Sequence, residues 1–117
     1  MIENKIIEMA HNSLHYGLEN NSKYFSYAKN KKCGDRIKVE LKIKNKKIQQ
    51  MKYETESCIF CEASASILAK HIKNKQIKNI DKLINFPKFK YLLSKKFLNR
   101  KDCVMLPIEA IKKAIKK

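Results

Sequence analysis

The segment RIKVELKIKNKKIQQMKYETES, residues 36–57, decides the fold. Apolar side chains occupy every second position from residue 37 to residue 43, with lysines and Glu40 between them, which is typical of a strand with one buried face. Asn45 and the lysines beside it predict a turn, and the alternation resumes at residue 51. The segment therefore predicts an antiparallel hairpin that closes at 45–47. The predicted pairs are Leu41 with Met51, Val39 with Tyr53, and Ile37 with Thr55.

Helical patterns flank this hairpin on both sides. Because Pro107 has no backbone N–H to donate, it predicts that the last helix begins between Cys103 and Leu106. An order of helix, strands and then helices is typical of an α+β fold. The predicted flanking elements are a helix over 2–14, a strand over 24–28, a helix from Glu62 onward, two shorter helices over 77–86 and 89–97 that Pro87 separates, and the last helix.

Length and composition predict one globular domain spanning residues 1–117, with 44% hydrophobic and 32% charged residues. No apolar run approaches the roughly 20 residues of a membrane span. The first residues, MIENKIIEMAHNS, lack the continuous apolar stretch of a signal peptide. We therefore expect a cytoplasmic protein with no membrane partner. In that compartment thiols stay reduced, so the four cysteines favour metal binding or thiol chemistry over disulfides.

The net charge of +16 comes from 27 basic residues, of which only Arg36 and Arg100 are arginine. Base readout and bidentate phosphate contacts favour arginine. The lysines are spread along the whole chain, which indicates a compositional bias more than a nucleic-acid face. We therefore expect no dedicated nucleic-acid partner, although the charge should steer acidic partners towards the protein.

The hairpin and the last helix together predict that distant cysteines meet. Extending the hairpin register by two pairs places Cys33 beside Ile59, and hence near Cys58, at the open end of the hairpin. Asp35 follows Cys33 as a candidate oxygen ligand. Cys103 stands at the start of the last helix, where the helix dipole stabilises a thiolate. Three cysteines and one carboxylate can therefore form one site.

These residues carry a resemblance to a known family. CGDR at 33–36, then Cys58 followed five residues later by ASAS at 63–66, then Cys103 leading into an amphipathic helix, resembles the U-type iron–sulfur assembly scaffolds. That family comprises the NifU N-terminal domain, IscU and SufU. The resemblance extends over essentially the whole chain, and the order and separations of these motifs make it specific.

The resemblance implies a fold, a cargo and partners. Family members have a three-stranded antiparallel sheet with an N-terminal helix and C-terminal helices packed against it. They receive sulfur from a pyridoxal-phosphate cysteine desulfurase and build a labile 2Fe-2S cluster, which passes to apo iron–sulfur proteins or carrier proteins. The same ligands suit Zn²⁺. By position, the implied ligands are Cys33, Asp35, Cys58 and Cys103.

Three departures from the family bear on function. Cys61 stands where many members carry serine or another small residue, and it is either a packed helix residue or a spare ligand or resolving thiol. Asp102 replaces the histidine of the housekeeping scaffolds, and it is a substitute ligand, a helix N-cap or a solvated residue. The segment SKKFLNRKDC lacks the Leu-Pro-Pro-Val-Lys chaperone motif. We therefore expect a short SUF-type member without a dedicated Hsp70-type partner.

Three functions of different classes remain open. The first is a cluster scaffold, which binds and carries its cargo without being a catalyst. The second is a zinc-dependent sulfur acceptor that activates a cysteine desulfurase, with Cys103 as the candidate acceptor thiol. The third is a basic, zinc-stabilised module that binds nucleic acid. The sequence leaves it open whether the protein is an enzyme.

Overall fold

The computed structural model describes residues 4–11 and 14–116. Its sheet and helices confirm the predicted α+β fold, a three-stranded antiparallel sheet with an N-terminal helix and C-terminal helices packed against it. In chain order the elements are α1 (Asn4–His11), β1 (Tyr24–Lys29), β2 (Arg36–Lys44), β3 (Lys47–Glu56), α2 (Ile59–His71), a 3₁₀ helix (Ile77–Asn85), α3 (Pro87–Leu92), a second 3₁₀ helix (Lys95–Arg100) and α4 (Lys101–Ile115).

The strands lie in the order β1-β2-β3, and the predicted hairpin register is confirmed for all three predicted pairs. The predicted closure at 45–47 is wrong by one residue. Asn45 and Lys46 alone form the turn, both with positive φ, the conformation that matches the twist of a two-residue hairpin. The register shifts between Lys42 and Ile43, which leaves Gln49 without a partner across the ladder.

The chain before β1 lies against the outer edge of β3. Tyr16 forms a parallel bridge with Tyr53, and the Gly17 N–H donates to the Tyr53 carbonyl at 2.7 Å. The two tyrosine rings meet edge to face at 5.4 Å. Because β1 lies at the opposite edge of the sheet, the chain must cross the sheet between Gly17 and Tyr24.

Glu40 of β2 holds this crossing segment in place. Its side chain is only 3% exposed, and its carboxylate accepts backbone hydrogen bonds from Glu19 and Asn21 at 2.9 Å each and from Ser22 at 3.2 Å. Burial opposes ionisation, but these backbone donors outweigh it and lower the pKa of Glu40. The alternating pattern placed Glu40 on the polar face of the strand. The structure buries that position under residues 17–22.

Helices α2 and α4 cover the other face of the sheet and form the core with it. The run Ala63–Ser66 is fully buried, and its small side chains let α2 pack closely against its neighbours. The Ser64 hydroxyl donates to the Val104 carbonyl at 2.6 Å, which ties α2 to α4. The Ser26 hydroxyl donates to the Ala110 carbonyl, which ties β1 to α4. These bonds fix the start of α4 relative to the sheet.

Several helix boundaries differ from the predicted ones. The predicted first helix over 2–14 is observed as Asn4–His11; residues 2–3 and 12–13 lie outside the described residues, and Leu14 is outside the helix and 89% exposed. Helix α2 begins at Ile59, three residues before the predicted Glu62. The predicted helix over 89–97 is observed as α3 and the second 3₁₀ helix.

The predicted start of the last helix is also wrong. Helix α4 begins at Lys101, and Pro107 lies inside it. Proline costs a helix one N–H donor and crowds the carbonyl four residues earlier, here that of Cys103. The buried faces of Leu106 and Ile108 on either side of Pro107 pack into the core, and this tertiary packing outweighs the local preference.

Within the described ranges 4–11 and 14–116, none of the helices combines the length and the apolar character needed to cross a bilayer.

Candidate metal centre

Three side chains from distant parts of the chain converge at the end of the sheet where β2 begins. Among the described residues, the group of histidine, cysteine and acidic side chains close enough to share one metal ion is Cys33, Asp35 and Cys103. One ligand atom from each residue lies within 4.8 Å of the other two. The sulfurs of Cys33 and Cys103 are 3.9 Å apart, although the residues are 70 positions apart in the chain.

The turn between β1 and β2 presents two of these ligands. The Gly34 N–H donates to the Asn30 carbonyl, and the Asn30 N–H donates to the Asp35 carbonyl, each at 2.8 Å. The Asn30 side chain also accepts from the Lys32 N–H at 3.0 Å. Gly34 has a φ of +78°, a conformation that side-chain-bearing residues rarely adopt. This closed turn leaves Cys33 exposed and turns Asp35 inward, to 6% exposure.

Asp35 is a buried carboxylate with one free oxygen. Its Oδ1 accepts the backbone N–H of Cys58 at 3.1 Å, whereas its Oδ2 is buried and has no hydrogen-bond partner among the residues that the structure describes. A buried carboxylate oxygen without a partner is costly unless a cation or a donor completes it. Because two thiols lie within 4.8 Å of this carboxylate, the donor set fits a soft metal with one harder oxygen ligand.

Cys58 lies at the N-cap of α2, beside this group. Its backbone N–H contacts Asp35, but its sulfur is not one of the atoms that lie within 4.8 Å of one another. The side chain is half-buried. The shared reach of Cys33 and Cys58 for one metal therefore stays a prediction, and so does the role of Cys58 as a ligand.

Cys103 is the third residue of α4 and is only 5% exposed. Burial first, and then the neighbouring Cys58 and Asp35 groups, raise the pKa of its thiol. A metal that binds here must therefore displace the thiol proton. The N-termini of the 13-residue α2 and the 15-residue α4 both lie at the site, and their dipoles favour the thiolate that results.

An aromatic cluster holds these two helix starts together. The rings of Phe60 and Phe97 lie 5.2 Å apart, and the Arg100 guanidinium stands 5.6 Å from the Phe60 ring centre. Phe60 belongs to the first turn of α2, and Arg100 is the N-cap of α4. Sequence reasoning missed this cluster, because neither the spacing of the phenylalanines nor the position of Arg100 indicated a contact across 40 residues.

The two accessory candidates lie outside the group of three. Cys61 is fully buried within α2, and burial raises the pKa of its thiol to about 12. Asp102 is exposed in the first turn of α4. Since the N-cap of α4 is Arg100, the interpretation of Asp102 as the N-cap is wrong. An acidic residue in the first turn still interacts favourably with the helix dipole.

A cavity of about 280 Å³ opens beside the turn that carries Cys33. Its basic side chains come from the end of β1 and the following turn, and its acidic side chains come from α4. The surface beside the exposed Cys33 therefore carries both charges, and Lys32 is the residue that precedes this thiol. The lining residues are Lys29, Asn30, Lys31, Lys32, Asp102, Leu106 and Glu109.

The sequence matches a described family over its whole length. The NifU-like N terminal domain family matches residues 1–117. The iron–sulfur cluster assembly scaffold protein IscU of Thermotoga maritima (strain MSB8) is 27% identical, over 100% of this chain and 94% of that protein. The zinc-dependent sulfurtransferase SufU of Bacillus subtilis (strain 168) is 40% identical over 48 residues, which is 41% of this chain and 33% of that protein.

Solved structures share the fold at lower identity. The N-terminal part of a NifU-like protein from Brucella abortus superposes with a TM-score of 0.82 at 18% identity, covering 97% of this chain and 91% of that one. The SUF-system protein FiSufU from Fervidobacterium islandicum AW-1 superposes with a TM-score of 0.79 at 20% identity, covering 95% and 93%. These likenesses support the arrangement of sheet and helices.

Proposed function

Because the chain belongs to the NifU-like N-terminal domain family, whose members are IscU/NifU/SufU-type scaffolds for iron–sulfur cluster assembly, we propose that it assembles a labile 2Fe-2S cluster. It receives sulfur from a cysteine desulfurase and passes the finished cluster to apo iron–sulfur proteins or carrier proteins. The observation that carries this proposal is the buried Asp35 Oδ2, which lies beside two thiols from distant chain segments and lacks a hydrogen-bond partner within the described ranges.

The donor set suits such a cargo. Thiolates are the usual ligands of iron–sulfur clusters. Cys33 and Cys103 supply two, Cys58 supplies a third from the start of α2, and Asp35 supplies an oxygen. The pair Cys33 and Cys103 is 3.9 Å apart, a separation that two ligands of one metal ion can have. Cys33 is exposed, so iron and sulfur arrive, and the cluster departs, on the side of the site where Cys33 lies.

Asp35 makes the cluster transferable. A carboxylate oxygen binds soft iron less strongly than a thiolate does. Its other oxygen is already engaged by the Cys58 N–H, so Asp35 offers a metal a single oxygen in a fixed position. The cluster is thus held by three strong ligands and one weak one, and an acceptor protein displaces the weak ligand first.

The surface around the site fits an acidic partner. Lys29, Lys31 and Lys32 line the cavity beside the exposed Cys33, in a chain of net charge +16. A desulfurase with an acidic rim around its persulfide would therefore be steered to this face. The salt dependence of sulfur delivery reports on this steering.

A second function rests on the same ligands. The related SufU protein is named a zinc-dependent sulfurtransferase, and three cysteines with one carboxylate also match the four tetrahedral positions of Zn²⁺. In this alternative, Cys33, Asp35, Cys58 and Cys103 would hold zinc, and the Cys103 thiol would accept persulfide sulfur. The buried Cys103 must then become accessible, which the scaffold function does not require.

Metal analysis and a visible spectrum separate the two functions. The purified full chain is incubated without oxygen with ferrous iron, sulfide and a thiol reductant. A scaffold acquires a 2Fe-2S chromophore and transfers it to an apo-ferredoxin. A sulfur acceptor keeps one zinc per chain, resists replacement by iron and raises desulfurase turnover. Binding of neither iron nor zinc would contradict both functions and leave the nucleic-acid alternative, which salt-sensitive RNA binding would test.

Matched variants locate the site. Cys33→Ser and Cys103→Ser are expected to lose the chromophore. Asp102→Asn removes a neighbouring carboxylate that lies outside the group of three, so it is expected to keep the chromophore. A chromophore that survives in Cys103→Ser but not in Asp102→Asn would place the site elsewhere.

A further inference from the structure

We propose that Cys58 and Cys61 form a dithiol that reduces sulfane sulfur carried on Cys58 to sulfide. The inference rests on the proposed function, in which the chain receives sulfur in the zero oxidation state and needs it as sulfide in the cluster. It assigns a task to Cys61, the one cysteine that the cluster ligands leave unused.

The two residues stand where a disulfide can form. Cys58 is the N-cap of α2, and Cys61 is the third residue of the helix. Ideal helix geometry separates such positions by about 5 Å between Cα atoms. Disulfides bridge Cα separations of roughly 4.4–6.8 Å, so the helix need not unwind to close the bond.

The two thiols differ in accessibility in the way that the reaction requires. Cys58 is half-buried and lies beside the exposed Cys33, so a sulfur donor can reach it. Cys61 is fully buried, so water and small oxidants do not reach it directly. A sulfur atom bound to Cys58 is therefore attacked from within the protein by a thiol that the donor itself cannot load.

The start of α2, which carries both thiols, lies at the site, because the Cys58 N–H donates to Oδ1 of Asp35 at 3.1 Å. Cys61 is the third residue of this helix and is fully buried. It lies outside the group Cys33, Asp35 and Cys103, so the reduction of sulfur on Cys58 does not require one of these three residues to leave the site.

The step balances without an outside oxidant or reductant. The Cys61 sulfur attacks the Sγ of Cys58, the S–S bond of the persulfide breaks, and hydrogen sulfide ion leaves with the proton of Cys61. The sulfane sulfur gains two electrons, and the two cysteine sulfurs lose one each as their disulfide forms. A dithiol reductant then restores the pair and returns Cys58 to the ligand set.

One competing pair makes the inference specific. The sulfurs of Cys33 and Cys103 lie 3.9 Å apart and are also close enough to be oxidised together. A persulfide on either of them would release sulfide with a Cys33–Cys103 disulfide. The position of the disulfide after sulfide release therefore identifies which pair acts.

The test uses the full chain, reduced, freed of metal and held without oxygen. One equivalent of glutathione persulfide is added, sulfide is measured colorimetrically, and intact and peptide mass spectrometry locate sulfur and disulfide. The wild type is expected to release sulfide and to acquire a Cys58–Cys61 disulfide. Cys61→Ser and Cys61→Ala are expected to retain the persulfide on Cys58 and to release sulfide about tenfold more slowly.

Controls guard against loss of folding. Glu62→Gln changes the next residue of α2 without removing a thiol, and it should release sulfide as the wild type does. Circular dichroism checks that both Cys61 variants are folded. Equal release by a folded Cys61→Ala protein, a disulfide mapped to Cys33–Cys103, or sulfur that never loads Cys58 would each overturn the inference.

Cluster assembly from inorganic sulfide separates this inference from the proposed function. It bypasses the reduction step, so Cys61→Ser should still form a chromophore if the chain is a scaffold. A chromophore without Cys61-dependent sulfide release would reject the dithiol alone. Sulfide release without any chromophore would reject the scaffold function and leave the dithiol standing.

Discussion

The backbone N–H of Cys58 donates a hydrogen bond to Oδ1 of Asp35 over 3.1 Å, which joins the β1–β2 turn to the N-cap of α2. One carboxylate therefore has two tasks. Its Oδ1 holds the N-cap of α2, and its buried Oδ2 has no hydrogen-bond partner among the described residues and remains available to a metal. Substitutions at Asp35 can separate the tasks, because asparagine keeps an oxygen acceptor and alanine does not.

Asp35→Ala is expected to leave a cluster that is held longer and transferred more slowly, because the weak oxygen ligand is the one that an acceptor displaces. The measurement is the half-time of transfer to an apo-ferredoxin. Asp35→Asn is the matched control, because it keeps an oxygen that can accept from the Cys58 N–H. If Asp35→Ala transfers the cluster slowly and Asp35→Asn transfers it at the wild-type rate, the cause is the lost hydrogen bond at the start of α2 and not the lost ligand. Equal or faster transfer by Asp35→Ala would contradict the release role.

Cys58→Ser and Cys61→Ser are expected to differ in metal content. Cys58 lies beside the group of three at the start of α2, whereas Cys61 is fully buried and protonated at neutral pH. Cys58→Ser should lose stable zinc or cluster, and Cys61→Ser should keep most of it. Metal-to-protein ratios of the two purified variants decide the matter. If Cys61→Ser loses the metal and Cys58→Ser keeps it, the ligand assignment is wrong by one helical turn.

Gly34→Ala is expected to destabilise the protein by about 1–2 kcal/mol, because alanine must adopt the positive φ that Gly34 has in the β1–β2 turn. A Cβ at this position meets no atom within 4 Å, so conformational strain alone accounts for the cost. Gly34→Asn should cost less, since asparagine tolerates this region better. Urea unfolding of both variants tests the order, and a larger loss for asparagine would refute it.

Glu40→Gln is expected to destabilise the protein at neutral pH by about 1–3 kcal/mol, since the backbone donors of 19–22 lose a charged acceptor. The pKa of Glu40 is lowered in the folded protein. The charged carboxylate therefore stabilises the fold fully above the ordinary glutamate pKa of about 4.3, and this contribution disappears as the pH falls through the folded pKa. Urea midpoints should therefore differ at neutral pH and converge as the pH falls through the folded pKa of Glu40. A difference that does not depend on pH would exclude the charge as its source.

The hairpin register could be predicted because it depends on a local pattern. Alternation over 36–43 placed Val39 opposite Tyr53, and no distant contact opposed that register. The two-residue turn at Asn45 and Lys46 escaped prediction, because the extra residue at 49 shifts the register only near the turn.

Other features depend on contacts that no local pattern contains. Glu40 appears solvent-facing in its strand, and only the crossing of residues 17–22 buries it. Pro107 indicated a helix start, but α4 begins earlier and continues past Pro107, because the buried neighbours of Pro107 pack into the core. The hydrogen bond from the Cys58 N–H to Oδ1 of Asp35 also escaped prediction, because Cys58 is the N-cap of a helix that begins three residues before its predicted start.

The 3.9 Å distance between the sulfurs of Cys33 and Cys103 also makes the proposed cluster site depend on the docking of α4. A chain that has formed its hairpin but has not docked α4 holds Cys33 and Asp35 without their third neighbour. Such a half-finished molecule would bind iron weakly and release it again. If the proposed ligands bind the cluster, only a molecule whose last helix has docked against the sheet can hold it, and incompletely folded copies would carry none.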